Sequence, residues 1–231
     1  MSRRIGITTT ADGAGPLCEA AIEHELTPII LPCIEVTPAP EDTLRQAAKQ
    51  AEQADWLVVT SARAIAVLWP DGGMPDTPVA AVGPATAEVA VQAGGSVAMV
   101  GETGAAALVE ELAGHLSDRI VFFPHASGAS PATVPALEES GARVFAAAVY
   151  TTRPVGPGSD PVDAVMFGSP SAVSGWSQTR SFEDLVIGVI GETTAGAVLE
   201  LGHRPDLVSP RPDFDLLIAL VAQFLSDRSP V

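Results

Sequence analysis

Six short stretches hold the residues of this chain best suited to grip and polarise an anion: Thr60-Ser61, Thr86, Thr103, the run from Ser127 and Gly128 to Ser130, Ser169-Pro170-Ser171, and Thr193-Thr194. Each follows an apolar strand-like run and opens a helix-like one. A Ser or Thr there serves first as a helix cap, its oxygen accepting a backbone N–H of the first turn. Taken together they can do more. In open α/β sheets the carboxyl ends of the strands border the ligand crevice, and the free amides of helix starts bind carboxylates without needing lysines. Arg63 follows Ser61 closely enough to reach the same anion, and His125 precedes the Ser127 turn. Tyr150 is the only tyrosine. No Ser-His-Asp triad, metal-ligand spacing or P-loop is present, and His24, His115, His125 and His203 are scattered. Gly101-Glu102-Thr103-Gly104 lacks the third glycine and downstream acid of a dinucleotide fingerprint.

What positions these residues is a pattern that repeats. Asp55-Trp-Leu-Val-Val-Thr-Ser-Ala-Arg-Ala-Ile aligns with Asp163-Ala-Val-Met-Phe-Gly-Ser-Pro-Ser-Ala-Val at an offset of 108, and Val79 through Ala87 align with Ile187 through Ala195 at the same offset. Gly94 and Val100 likewise meet Gly202 and Val208. The beginnings of the halves align at an offset of 115, Arg4-Ile5 with Arg119-Ile120 and Pro16 with Pro131. Repeats of this length are small α/β domains rather than solenoid units, and two of them suggest one ligand held between corresponding strand-end loops. Strand-like and helix-like runs alternate throughout, which predicts parallel sheets with right-handed crossovers. Breaks at Thr37-Pro-Ala-Pro40 and Gly156-Pro-Gly-Ser-Asp-Pro161 miss the repeat boundary near Ser117 and mark off an inserted middle part, about 37–153.

At 47% hydrophobic and 17% charged, the 231 residues can fill two cores. Few aromatics and many Ala, Val, Leu and Ile fit strands covered on both faces. The net charge of −16 argues against nucleic acid and anionic membranes as partners, since both need a basic footprint. No apolar run approaches a membrane span, and Met1-Ser-Arg-Arg leads straight into a strand with no secretory segment. A cytoplasmic protein with Cys18 and Cys33 as buried, reduced thiols is expected.

Thr60-Ser-Ala-Arg-Ala-Ile, Ala81-Val-Gly-Pro-Ala-Thr-Ala, Gly101-Glu-Thr, Val149-Tyr-Thr-Thr, Phe167-Gly-Ser-Pro-Ser-Ala-Val, Ile190-Gly-Glu-Thr-Thr-Ala and Leu31-Pro-Cys-Ile-Glu-Val together resemble the uroporphyrinogen-III synthase family, in order and over nearly the whole chain. The resemblance implies two α/β domains with parallel sheets, one inserted in the other: residues 1–34 plus 156–231, and 37–149, joined by the segments 32–37 and 149–155. It implies cyclisation of the linear tetrapyrrole hydroxymethylbilane, with inversion of the last pyrrole ring and loss of water, without metal or organic cofactor. Tyr150 occupies the family's cleft tyrosine and is the catalytic candidate. Thr60, Ser61, Arg63, Thr86, Thr103, His125, Ser127, Gly128, Ser169, Ser171, Thr193 and Thr194 are the candidates for substrate binding. Arg153 could also reach a carboxylate, and Glu192 would repel one. Bacterial members often carry an arginine just after the first strand, where this chain reads Thr8-Thr-Thr-Ala-Asp12. A monomer is expected, with at most a transient contact to the preceding pathway enzyme. The rival reading is a homologue that binds or senses a tetrapyrrole without turning it over.

Overall fold

A computed structural model describes residues 2–101 and 104–228. The chain divides into two compact units, residues 1–36 with 153–231 and residues 37–152. Both are built on parallel strands with helical crossovers, the mixed α/β class read from the alternating pattern.

In the first unit, β1 (Arg4–Ile7), β2 (Thr27–Ile30), β9 (Ala164–Phe167), β10 (Val186–Val189) and β11 (Leu207–Val208) form a sheet in the order β11-β10-β9-β1-β2. Successive side chains alternate between its faces. Ile5, Ile7, Ala164 and Met166 pack with α1 (Gly15–Glu23) and α9 (Phe214–Asp227), whereas Val165 and Phe167 pack with α7 (Pro170–Ser177) and α8 (Glu192–Glu200). Because both faces are covered at the centre of the sheet, β9 and β10 are apolar and buried at every position rather than at every second one.

The second sheet has β3 (Ile34–Pro38) at one edge, beside β8 (Arg143–Pro154). With β4 (Trp56–Val59), β5 (Pro78–Val82), β6 (Ser96–Gly101) and β7 (Ile120–Ala126) the order is β3-β8-β7-β4-β5-β6. Val58, Ala80, Val121 and Phe123 pack against α5 (Ala105–Leu112) and α6 (Thr133–Glu139). Ala64 and Ile65 of α3 (Ala62–Leu68) and Ala90 of α4 (Pro84–Gln92) are fully buried, as are Ala47 and Ala51 on the apolar stripe expected of α2 (Glu41–Glu52). The strands β3 and β8 carry the chain from one unit into the other. Cys33 O accepts from Val155 N–H at 2.9 Å within the first unit, and Val149 O accepts from Ala39 N–H at 2.9 Å within the second.

The repeat is reproduced in hydrogen-bond register. Leu57 pairs with Val79 and Val58 with Ala80, while Val165 pairs with Ile187 and Met166 with Gly188, each position displaced by 108. Gly94 and Gly202 leave their helices at φ +92° and +82°, a conformation glycine adopts without penalty. The offset of 115 for the first strands is corrected to 116. Trp56 pairs with Val121 and Ala164 with Ile5. The Asp55 carboxylate accepts from Ile120 N–H at 2.8 Å, as Asp163 does from Arg4 N–H at 2.7 Å. The matching Arg-Ile dipeptides are one residue out of structural register, because strand pairing obeys the carboxylate and not the side-chain identity.

Other differences are local. Residues 11–13 form a 3-10 turn before α1, and another (Ala113–His115) follows α5. The strand that carries Tyr150 continues to Pro154, with Ser127 N–H donating to Tyr150 O at 2.8 Å. Cys33 is buried and burial pushes its thiol up to about 12, but Cys18 is only half-buried, because it lies on the flank of α1 rather than beneath it. A desolvated thiol stays protonated and unreactive.

Gly175 lies where α7 crosses the connecting strands. A Cβ there would overlap the Cys33 carbonyl oxygen and approach Val155 O to 2.7 Å, both rigid backbone. Gly175→Ala should lower stability by about 3 kcal/mol, the upper end for overpacking, seen as a fall in Tm. Gly196→Ala in α8 meets nothing within 4 Å and should raise stability by about 0.5 kcal/mol through helix propensity. Asp213 caps α9, accepting from Leu216 N–H at 3.0 Å, and that hydrogen bond lowers its carboxyl from the usual value of 3.8. A carboxylate stabilised in the folded state adds stability above its unfolded pKa and loses it as pH falls through the folded one. Tm should therefore decline more steeply below about pH 4 in the wild type than in Asp213→Asn, which keeps a cap without a charge.

Candidate functional site

Helices in a βαβ unit run back against the strands, so every helix start lies at the carboxyl end of its sheet. In the second unit, β4 ends at Val59, Thr60 is half-buried beyond it, and Ser61 forms the N-cap of α3. Ser61 Oγ accepts from Arg63 N–H at 3.2 Å. It also accepts from the Tyr150 phenol at 3.2 Å, across 89 residues of sequence. Tyr150 is 7% exposed. A serine oxygen that accepts twice has both lone pairs engaged, and its own proton is left to donate elsewhere. Chained donors polarise one another, so the last proton of Tyr150–Ser61 is a stronger donor than an isolated hydroxyl.

Tyr150 is held by its neighbours along β7 and β8. Beyond the Ser127 N–H bond to its carbonyl, Ser127 Oγ donates to Thr151 Oγ1 at 3.1 Å, fixing the exposed turn that contains Gly128. His125 stacks on Phe123, centroids 5.1 Å apart, and its Nδ1 lies 2.7 Å from Ala126 O. A carbonyl only accepts, so Nδ1 carries the proton in this contact. Thr151 is a residue that the sequence reading passed over, although it lies within Val-Tyr-Thr-Thr. The available signal was its place directly after Tyr150 in that motif.

The remaining candidates divide by burial. Ser169 is the structural counterpart of Ser61, capping α7 by accepting from Ala172 N–H at 3.3 Å, with Ser171 half-buried in the first turn. Thr86 and Thr194, again counterparts, are buried at 7% and 2% in the first turns of α4 and α8, behind the N-cap glycines Gly83 and Gly191. Burial makes a hydroxyl contact to a ligand harder there, while the amides of the first turn, which have no partner within a helix, keep their binding capacity. Thr193 and Glu192 stand beside Thr194, less buried than it is. Thr103 lies outside the described residues. Arg153 forms an ion pair with Glu35 in the first unit, and Thr8 Oγ1 donates to Met166 O at 2.7 Å just after the first strand, where the resemblance led us to look for an arginine. Among the described residues, no group of three His, Cys, Asp or Glu is placed to hold a metal ion, and no helix is long and apolar enough to cross a membrane.

Comparison with known proteins gives this geometry its context. The family described as uroporphyrinogen-III synthase HemD matches residues 16–219. The chloroplastic uroporphyrinogen-III synthase of Oryza sativa subsp. japonica is 29% identical over 252 aligned positions, covering 97% of this chain and 83% of the rice protein. The uroporphyrinogen-III synthetase structure of Helicobacter pylori 26695 superposes with a TM-score of 0.67 at 18% identity, covering 97% of this chain and 100% of that one. A mutant uroporphyrinogen III synthase of Thermus thermophilus gives 0.60 at 17% identity, covering 98% of this chain and 100% of that one. At such identities the two structures establish the fold, and the family match carries the assignment: the chain belongs to the uroporphyrinogen-III synthase family, the cyclising lyases of tetrapyrrole biosynthesis.

Proposed function

We propose that this chain cyclises hydroxymethylbilane to uroporphyrinogen III, and that the Tyr150–Ser61 pair supplies the proton donor for the departing hydroxyl. The observation that carries the residue assignment is the phenol donating to a serine whose own proton remains available. Loss of the hydroxymethyl hydroxyl leaves a reactive azafulvene, and unassisted closure of that species yields the symmetric isomer. The task is thus to ease the departure and to hold the chain so that the substituted carbon of the last ring attacks, through a spiro intermediate. A hydrogen bond aimed at the leaving oxygen serves the first need. First-turn amides and the hydroxyls of Thr60, Ser61 and the Ser127–Gly128 turn in the second unit serve the second by holding carboxylates; Ser169, Ser171 and Thr193 offer the same kind of donors at the strand ends of the first unit. Arg63 and His125 stand beside the same strand ends, and the buried Thr86 and Thr194 shape the helix starts. We read the two compact units as the family's two domains. The free thiols Cys18 and Cys33 fit a reducing cytoplasm, and a single copy of the chain contains every residue invoked.

The test supplies pre-formed hydroxymethylbilane and separates the oxidised porphyrin isomers. Wild type should give predominantly isomer III; isomer I alone would leave tetrapyrrole binding without turnover as the surviving reading. Tyr150→Phe should slow single-turnover conversion about 10- to 100-fold, somewhat under the cost of losing one preorganised oxyanion donor, and raise the share of isomer I as uncatalysed closure competes. Ser61→Ala should do the same, and the double variant should be little worse than either, because the two act as one chain. Full additivity would show that the residues act separately.

A further inference from the structure

We infer that capture of the substrate is opposed by the protein's own field and is tightened, not weakened, by salt. This rests on the proposed reaction, whose substrate is an octacarboxylate. Each unit carries a net charge of −8, with seven cationic residues against fifteen acidic ones in the first and five against thirteen in the second. A protein selected to bind a polyanion through ion pairs would concentrate cations where the ligand docks. This one does the reverse. Of its twelve Lys and Arg, eight lie at the amino ends of strands or the carboxyl ends of helices, and only Arg45, Arg63, Arg153 and Arg211 stand where helices begin or strands end. Arg45 is engaged by the carboxylates of Glu41 and Asp42, Arg153 by Glu35 and Arg211 by Asp213. At the same ends stand Asp12, Glu192 and Asp215 in addition to those four partners.

Short-range binding therefore falls to neutral donors, the first-turn amides and the hydroxyls, whose hydrogen bonds added salt screens little. The long-range term is repulsive and acts over the Debye length, about 10 Å at 0.1 M salt and about 4–5 Å at 0.5 M. Salt thus removes the unfavourable term and spares the favourable one. In the opposite design, where capture rests on cations, salt would raise KM by screening attraction.

The experiment measures initial rates of isomer III formation from pre-formed hydroxymethylbilane between about 0.05 and 0.5 M KCl, a range that halves the screening length or more. KM should fall about 3-fold or more while kcat changes less than about 2-fold, as expected for a screened long-range field. Circular dichroism across the series checks that the fold is intact, since a salt-dependent folded fraction would move apparent kcat rather than KM. In Glu192→Gln/Asp215→Asn, two carboxylates at helix starts are neutralised. Its KM at low salt should approach the wild-type value at high salt, with a flatter dependence. Isomer III formed with a KM that is flat or rises with salt, or a double variant that follows the wild type, overturns the inference alone. No isomer III at any salt overturns the reaction, and this inference with it.

Discussion

The rest of the structure depends on a carboxylate at the foot of each central strand. Asp55 precedes β4 and Asp163 precedes β9, and each accepts the backbone N–H that opens the neighbouring strand, at 2.8 and 2.7 Å. Each also faces an arginine adjacent to that N–H, Arg119 at 3.4 Å and Arg3 at 3.1 Å. These ion pairs are partly exposed and of modest worth by themselves. Their consequence is positional. A parallel sheet buried on both faces has no polar side to choose its register, since every residue is apolar. A charged hydrogen bond to one particular amide breaks that degeneracy, and a one-residue slip would forfeit it. With register set at the amino end, four residues of strand deliver the next turn to a defined place, which is why Ser61 and Ser169 both arrive as N-caps.

From that placement follows the surface we propose for binding, made largely of backbone. Helix starts offer amides that no residue within the helix can satisfy. Glycines at 83 and 191 let α4 and α8 begin immediately after their strands, and Thr86 and Thr194 are buried behind them. A well-packed core holds those amides in position. Such a surface tolerates wide drift in sequence, because an amide is presented by almost any residue, and relatives at 17% and 18% identity keep the same fold.

What could be read in advance was what is local and periodic. The βαβ alternation, the strand-turn-helix of Thr60-Ser61 and its echo at Ser169, and the C-cap at Gly94 each depend on neighbours a few residues apart. What could not be read was set by pairing. The dipeptide match Arg4-Ile5 with Arg119-Ile120 suggested an offset one residue too small, because identity cannot report which amide a distant carboxylate holds. Tyr150 and Ser61 were both picked out, yet nothing in either motif joins residues 89 apart in the chain. The length of β8 was underestimated because Thr151 through Pro154 carry no apolar pattern; their order is supported by Ser127 and Thr151 meeting across strands.

That extra length is where the two halves differ in structure. In register, β8 corresponds to β2, since Ile120 pairs with Arg143 as Arg4 pairs with Thr27. But β2 spans four residues and ends at Ile30 before Leu31-Pro32, whereas β8 runs for twelve. Only the longer strand carries a side chain far enough to reach the serine cap of the central strand, and that side chain is the chain's one tyrosine. Ser169 has the same cap geometry as Ser61, and the shorter β2 brings no phenol to it. The repeat thus supplied two similar serine-capped helix starts, and the continuation of one strand brought a phenol to one of them.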